Sequence, residues 1–366
     1  MRVLIAPDKF AGTLTALEAA DAIAEGWSRH APADELDLCP MADGGPGLVD
    51  VLHASLGGEL LAVTVDGPFG QPVPATILLR GDTAYVESAQ ACGLHLTGGE
   101  GAERASTYGV GELLCAAAEA GATTVVIGLG GSGTTDGGAG LLAALGATSV
   151  PADALTAGAV GLADLEAVSL EAAVGRTRDL TLVAATDVDI PLTGLFGAAK
   201  TFGPQKGIPE DRLVVVDAWL ERFAALTDRR RSLEKGAGAA GGLGHALLLL
   251  GATRSAGVEL VAHAADLAGR ARRADLVVTG EGAFDFSSRS GKVPYGVAEV
   301  AAEALRPCIA LAGQVLVGSR EMRALGIESA YSVVDLVGEE RAFADPRDAL
   351  AALATRVARS WSRDPR

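Results

Sequence analysis

Apolar residues fall in short runs near both ends of the chain: "RVLIAP" at 2–7, "ELDLCP" at 35–40, "ADLVVTG" at 274–280, "PCIALAG" at 307–313 and "AYSVVDLVG" at 330–338. Each run stops at a polar or glycine-rich turn. Helical periodicity separates them at 16–29, 47–55 and 293–304. A final periodic stretch, "DALAALATRVARSW", follows Asp345, placed to cap a helix, and Pro346, placed at its first turn. Short buried strands alternating with helices predict a parallel sheet covered on both faces. Five such strands predict a Rossmann-type, flavodoxin-like unit. Residues 59–89 read differently. They alternate apolar and polar and turn at Gly-Pro and Gly-Asp, which predicts a meander of hairpins. The fold class expected is therefore α/β. A discontinuous parallel-sheet domain, residues 1–59 plus 258–366, accepts an inserted α/β domain of mixed sheet, residues 60–257. The active site is expected in the interdomain cleft.

Composition sharpens this picture. Aromatics are 4% of 366 residues, so Ala, Val, Leu and Gly must fill the core and elements must approach closely. The net charge of −16 opposes binding to nucleic acid but leaves room for a locally positive anion site. Cys39, Cys92, Cys115 and Cys308 form no C-x-x-C pair and are expected as free thiols. The five histidines show no metal spacing. The first strand begins at Arg2 and no apolar run is long enough to span a bilayer, so a cytoplasmic protein without a membrane anchor is expected.

In an open α/β sheet, ligands bind beyond the carboxyl ends of the strands. Asp8-Lys9 follow the first predicted strand and Asp43-Gly44-Gly45 the second. Gly280-Glu281-Gly282 and Asp285, then Gly291-Lys292, follow the third, and Gly313-Gln314 the fourth. A purely structural sheet needs turn glycines, but not this recurrence of charge. Lysine is used sparingly: Lys9, Lys200, Lys206, Lys235 and Lys292 are the five among 30 basic residues. Lys9, Lys206 and Lys292 each sit in a Gly/Pro-framed loop, where a compact ammonium suits phosphate neutralisation; the bland alternative is a surface lysine.

The stretch "VVIGLGGSGTTDGGAG" at 125–140 matches G-x-G-x-x-G at Gly128, Gly130 and Gly133. A dinucleotide fingerprint should run straight into an apolar helix, and "TTDGG" intervenes. "SGKVP" lacks the Ser/Thr of a Walker A loop, and Thr134 breaks a nucleophile elbow. What remains is a glycine loop with Ser132, Thr134, Thr135 and Asp136. Its N–H groups and hydroxyls could cradle phosphate at a helix start, and Asp136 could hold Mg²⁺ through water. A second acidic loop, "ATDVDIPLTG", offers Asp187 as base or metal ligand and Asp189 as a turn cap.

Together, "IAPDKFAGTLTA", "PMADGGPG", "IGLGGSGTTDGGAG", "ATDVDIPLTG", "FGPQKG", "GAGAAGGLG" and "ADLVVTGEGAFD…GKVPYGVA" resemble the glycerate kinase family, the type that yields 2-phosphoglycerate. The seven motifs run in order along most of the chain. The resemblance implies ATP-dependent, Mg²⁺-assisted phosphorylation of D-glycerate on a two-domain fold. On that reading Lys9, Asp43, Asp187 and Lys292 are catalytic. Gly130, Gly131, Ser132, Gly133, Thr134, Lys206, Gly280 and Gly282 bind ATP. Asp8, Gly44, Gly45 and Arg289 meet the substrate, and Asp136, Glu281 and Asp285 serve the metal. Ala11, Pro46, Ile190 and Ser287-Ser288 depart from the usual family pattern and leave room for another small hydroxy acid. Two further readings stay open: an NAD(P)-dependent oxidoreductase and a non-catalytic ligand-binding relative.

Overall fold

The apolar runs at both ends do form strands, and the computed structural model describes residues 1–10, 12–285 and 292–362. Along the chain, the strands are β1 (Arg2–Pro7), β2 (Glu35–Leu38), β3 (Glu59–Asp66), β4 (Pro72–Arg80), β5 (Thr83–Glu87), β6 (Thr124–Gly128) and β7 (Thr148–Val150). They continue as β8 (Ala167–Ser169), β9 (Thr181–Ala185), β10 (Thr253–Ser255), β11 (Leu276–Phe284), β12 (Cys308–Val315) and β13 (Ser329–Ser332). Contacts divide the chain into a unit of Met1–Asp43, Asp50–Leu56 and Gly257–Arg366 and a unit of Gly44–Val49 and Gly57–Ala256.

The first unit carries a five-stranded sheet in the order β13-β12-β11-β1-β2, with every neighbour parallel. On one face, Val3, Ile5, Leu276, Val278, Ile309 and Leu311 pack against the helices Ala16–His30 and Pro346–Trp361. Leu4, Val277 and Ala310 are buried on the other, where the helices Leu267–Arg273 and Val293–Glu303 lie. Burial on both faces is why these strands read as continuous apolar runs. Small residues set the helix spacing. A Cβ at Gly26 would run into the Ala351 backbone oxygen, so the two long helices touch along bare backbone. Thr15 opens the first with a full capping box, its hydroxyl accepting from Glu18 N while the Glu18 carboxylate accepts from Thr15 N.

Three local expectations are corrected here. Gly280-Glu281-Gly282 and Gly313-Gln314 do not follow their strands but lie inside β11 and β12, which pair on to Phe284 and Val315. The run "SVVDLVG" is a strand only to Ser332. Its hydroxyl accepts from Asp335 N and caps a short helix, Val333–Val337. Asp345 holds the cap position of the last helix, but its side chain makes no cap hydrogen bond.

The second unit holds a six-stranded mixed sheet, β10-β9-β6-β5-β4-β3. β3, β4 and β5 form the antiparallel meander, and β5, β6, β9 and β10 run parallel. β7 and β8 form a separate pair. The core spans Ile77, Val125, Ile127, Leu141, Leu220, Phe223 and Leu247. No helix among the described residues is long and apolar enough to cross a membrane.

Candidate active site

The strand order of the first unit has one topological switch. From β1 the chain moves to β2 on one side, and β11 lies on the other. Connections leaving such neighbours turn opposite ways and open a crevice at the carboxyl edge. Asp8 extends the ladder there, its N–H donating to Gly280 O at 2.8 Å. Its Oδ1 accepts from Lys9 N at 2.7 Å. Lys9 Nζ stands 3.3 Å from Asp43 Oδ1 and 3.7 Å from Asp8 Oδ1. Lys292 Nζ lies 3.5 Å from Glu281 Oε2 and 3.7 Å from Asp285 Oδ1. The structure thus gathers Asp8, Lys9, Asp43, Glu281, Asp285 and Lys292 at one edge. Arg289, expected to meet the substrate, lies outside the described residues, as do Ala11, Ser287 and Ser288.

Asp8 is 6% exposed. Burial pushes its carboxyl up to about 7; Lys9 pulls against this, and the charges of Asp43 and Glu281 add to it. A carboxyl held near neutrality, with a lysine at hand, is equipped to exchange a proton with a bound hydroxyl.

The glycine loop of the second unit is built otherwise than its sequence suggests. It leaves β6, and most of its glycines are explained by protein packing. A Cβ at Gly128 would meet Gly44 O and Leu48 Cδ2. One at Gly130 would stand 2.6 Å from Gly45 Cα, and one at Gly131 2.7 Å from the Pro46 ring. The "GGPG" segment, residues 44–47, and the "GLGG" segment, residues 128–131, are therefore laid closely on each other. Gly44 and Gly45, expected to meet substrate, are buried in that contact. Gly133 is sealed under Thr97, its notional Cβ 2.6 Å from Thr97 Oγ1. Thr135 is buried with an unpartnered hydroxyl, the Thr134 hydroxyl is buried against Cys92, and Gly131 is exposed while Gly130 is half-buried.

Asp136 is not placed to hold Mg²⁺. It is fully buried, and Oδ2 accepts from Thr107 N, Thr107 Oγ1 and Gly140 N at 2.9, 2.7 and 3.2 Å. Oδ1 accepts from Gly138 N at 3.0 Å. The helix start that could have bound a phosphate already holds this carboxylate. Lys206 is likewise turned inward and 2% exposed. Its Nζ donates to Ser132 Oγ at 2.9 Å and Thr134 O at 2.6 Å, and burial lowers its pKa to about 8. Lysine and aspartate together brace the loop.

Asp187 stands half-buried past the end of β9, which pairs with β6, so it leaves the same sheet edge as the glycine loop. Asp189 does not cap a turn alone; it is ion-paired with Lys235 at 3.2 Å and with Arg254. Sequence reading missed two residues. Thr107 ties Asp136 to the helix Tyr108–Glu119, and its position just before a helical run was the available signal. Glu87, a buried carboxylate at the end of an apolar run, accepts from Gly47 N at 2.9 Å and steadies the second glycine segment.

The glycerate kinase family profile matches residues 3–362. A glycerate kinase from Bacillus subtilis (strain 168) is 40% identical over 346 residues, covering 91% of this chain and 90% of that one. A glycerate 2-kinase from Escherichia coli (strain K12) is 38% identical, covering 92% of this chain and 92% of that one. A solved structure described as a glycerate kinase 2 from Salmonella typhimurium LT2 superposes with a TM-score of 0.81 at 35% identity, covering 98% of both chains.

Proposed function

Because the chain belongs to the glycerate kinase family, we propose that it transfers the γ-phosphoryl group of ATP to the 2-hydroxyl of D-glycerate. The observation that carries this reading is the cluster Asp8, Lys9, Asp43, Glu281 and Lys292 at the switch of the first sheet. Phosphoryl transfer asks for positioning and charge neutralisation more than covalent help. Lys9 and Lys292 supply point charges for the glycerate carboxylate and the transferring group. Asp8 accepts the 2-hydroxyl proton, since a base near neutrality is both ionised and basic enough to take it. Asp43 is paired with Lys9, which spends its charge on aiming that lysine.

Mg²⁺ fits the first cluster. Among the described residues no three His, Cys, Asp or Glu side chains form a metal cage. Mg²⁺ needs none, because it is held by one or two carboxylates and the phosphates themselves. Glu281 and Asp285, with Asp8 and Asp43 near, would supply such carboxylates. When bound, the ion would neutralise phosphate charge.

The test is coupled ADP release with D-glycerate, ATP and Mg²⁺, followed by phosphorus NMR of the product. A 2-phosphoglycerate signal is expected. A 3-phosphoglycerate signal would remove the 2-position. Turnover only with a different hydroxy acid would remove glycerate.

A further inference from the structure

We propose that an apolar cavity beside the charged edge of the first unit receives the purine ring of the phosphoryl donor. The inference rests on the ATP reading above and assigns where the base sits.

The cavity, of about 190 Å³, lies over the ends of β11 and β12. Its floor is the pair of strands where Ala283 faces Gln314. Gly282 and Gly313 contribute no side chains there, and a Cβ on Gly313 would strike the Gly282 carbonyl. The floor is therefore flat backbone. Val333, Pro346 and Leu350 wall it with hydrocarbon. Phe343 stands at it 60% exposed, a large ring with much of its surface in water. Gln314 brings a carboxamide with both a donor and an acceptor. A flat apolar slot with a few polar groups is the usual form of a ring-binding pocket.

Position and size choose the occupant. Gly282 and Glu281 turn to opposite faces of β11, but β1 ends at Pro7 opposite Gly280, so the way from the slot to Glu281, Asp285 and Lys292 runs over the end of β1. A ligand that fills the slot and reaches that edge needs a flat ring at one end and anionic groups at the other. The volume falls below the roughly 300–1,000 Å³ of whole-ligand pockets, so the ring enters while sugar and phosphates stay outside. Glycerate, with an oxygen on every carbon, has no apolar part to place there. A purine stacks on aromatic faces and hydrogen-bonds through its edge, which suits Phe343 and Gln314.

The experiment is calorimetric titration of the full chain with ATP, repeated on Phe343→Ala and Gln314→Leu, with the glycerate KM measured on each. Phe343 is mostly exposed, so its loss should leave folding intact, and Gln314→Leu keeps side-chain bulk while removing the amide. Phe343→Ala is expected to weaken ATP about tenfold, within the range for losing one base-stacking aromatic, and Gln314→Leu several-fold. The glycerate KM should stay within twofold. Unchanged ATP affinity in both variants, with tight binding by the wild type, would overturn the pocket assignment and leave ATP as donor. An equal rise in the glycerate KM would mark a general disturbance and also overturn it. Absence of ATP binding by the wild type would instead overturn the donor reading, and the pocket assignment with it.

Discussion

Thr107 and Asp136 are joined twice, the Thr107 N–H and hydroxyl both donating to Asp136 Oδ2 at 2.9 and 2.7 Å. The pair pins the glycine loop to the helix that follows Thr107. Asp136→Asn leaves one acceptor oxygen for four donors and turns an NH₂ toward N–H groups. It should lower unfolding free energy by about 3 kcal/mol, and Thr107→Val by about 1–2 kcal/mol, as read from urea midpoints. A wild-type midpoint in Asp136→Asn, with weakened Mg²⁺ binding, would return Asp136 to the metal role.

Asp8 makes activity depend on pH. Protonated below about 7, it cannot take the substrate proton, so kcat/KM for glycerate should rise with pH through about 7. Asp43→Asn removes a negative neighbour of Asp8 and weakens the pull of Asp43 on Lys9. Both effects favour the carboxylate, so the acidic limb should move to lower pH. A limb that stays put, or moves up, in the variant rules out Asp8 as the group that sets it.

The same carboxyl has a cost to stability. Its pKa is raised in the fold from 3.8 to about 7, so the native state binds the extra proton inside that window. Stability from this group is complete below 3.8 and is lost as pH rises to about 7. Asp8→Asn should therefore be the more stable protein at pH 8, by about 1.4 kcal/mol for each tenfold by which the fold tightens the carboxyl's hold on its proton, and gain nothing at pH 3.5. Parallel urea midpoints for both proteins across that range would show that Asp8 is not held near neutrality.

Gly130→Ala tests the contact of the two glycine segments. Its Cβ would lie 2.6 Å from Gly45 Cα, where backbone must yield. Overpacking of this kind should destabilise by about 1–3 kcal/mol. Thermal unfolding is the readout. An unshifted transition would mean that the segments part easily and that glycine serves some other need there.

Lys292→Met removes the ammonium that lies beside Glu281 and Asp285. Loss of a preorganised charge at a phosphoryl-transfer site should lower kcat by about 10²–10³-fold. Near-normal turnover would show that Lys292 only neutralises the two carboxylates.

Much of the first unit was legible because β1, β11 and β12 are buried on both faces, which writes them as unbroken apolar runs. Asp8, Lys9, Asp43, Glu281 and Lys292 were legible for a related reason: charge beside a buried strand stands out. "SVVDLV" misled because a short apolar run reads alike as strand or helix, and only the Ser332 cap decides. The glycine loop was less legible. A glycine in sequence shows that a side chain is excluded, but not whether a ligand or another backbone fills the space. Lys206 shares the ambiguity, since a Gly/Pro frame does not say which way an ammonium turns. Where the chain packs with few aromatics, backbone-on-backbone contact is common, and it imitates a phosphate loop.

The order of the first sheet also bears on biosynthesis. β1 is an inner strand, yet its partner β11 ends 277 residues after β1 does, at Phe284 rather than Pro7. At roughly 5–20 residues per second, the ribosome needs about 14–55 s to deliver that partner. Until then β1 and β2 are two strands without a sheet, a pair too small to persist in water. The intervening unit has all but its first few residues in one continuous stretch and can collapse during the wait. β11 to β13, which follow that unit, then complete a sheet begun ahead of it. A nascent chain of this protein carries an open, apolar β1 edge until β11 emerges, and the helix Ala16–His30, capped by its own local Thr15–Glu18 exchange, packs on the same strand.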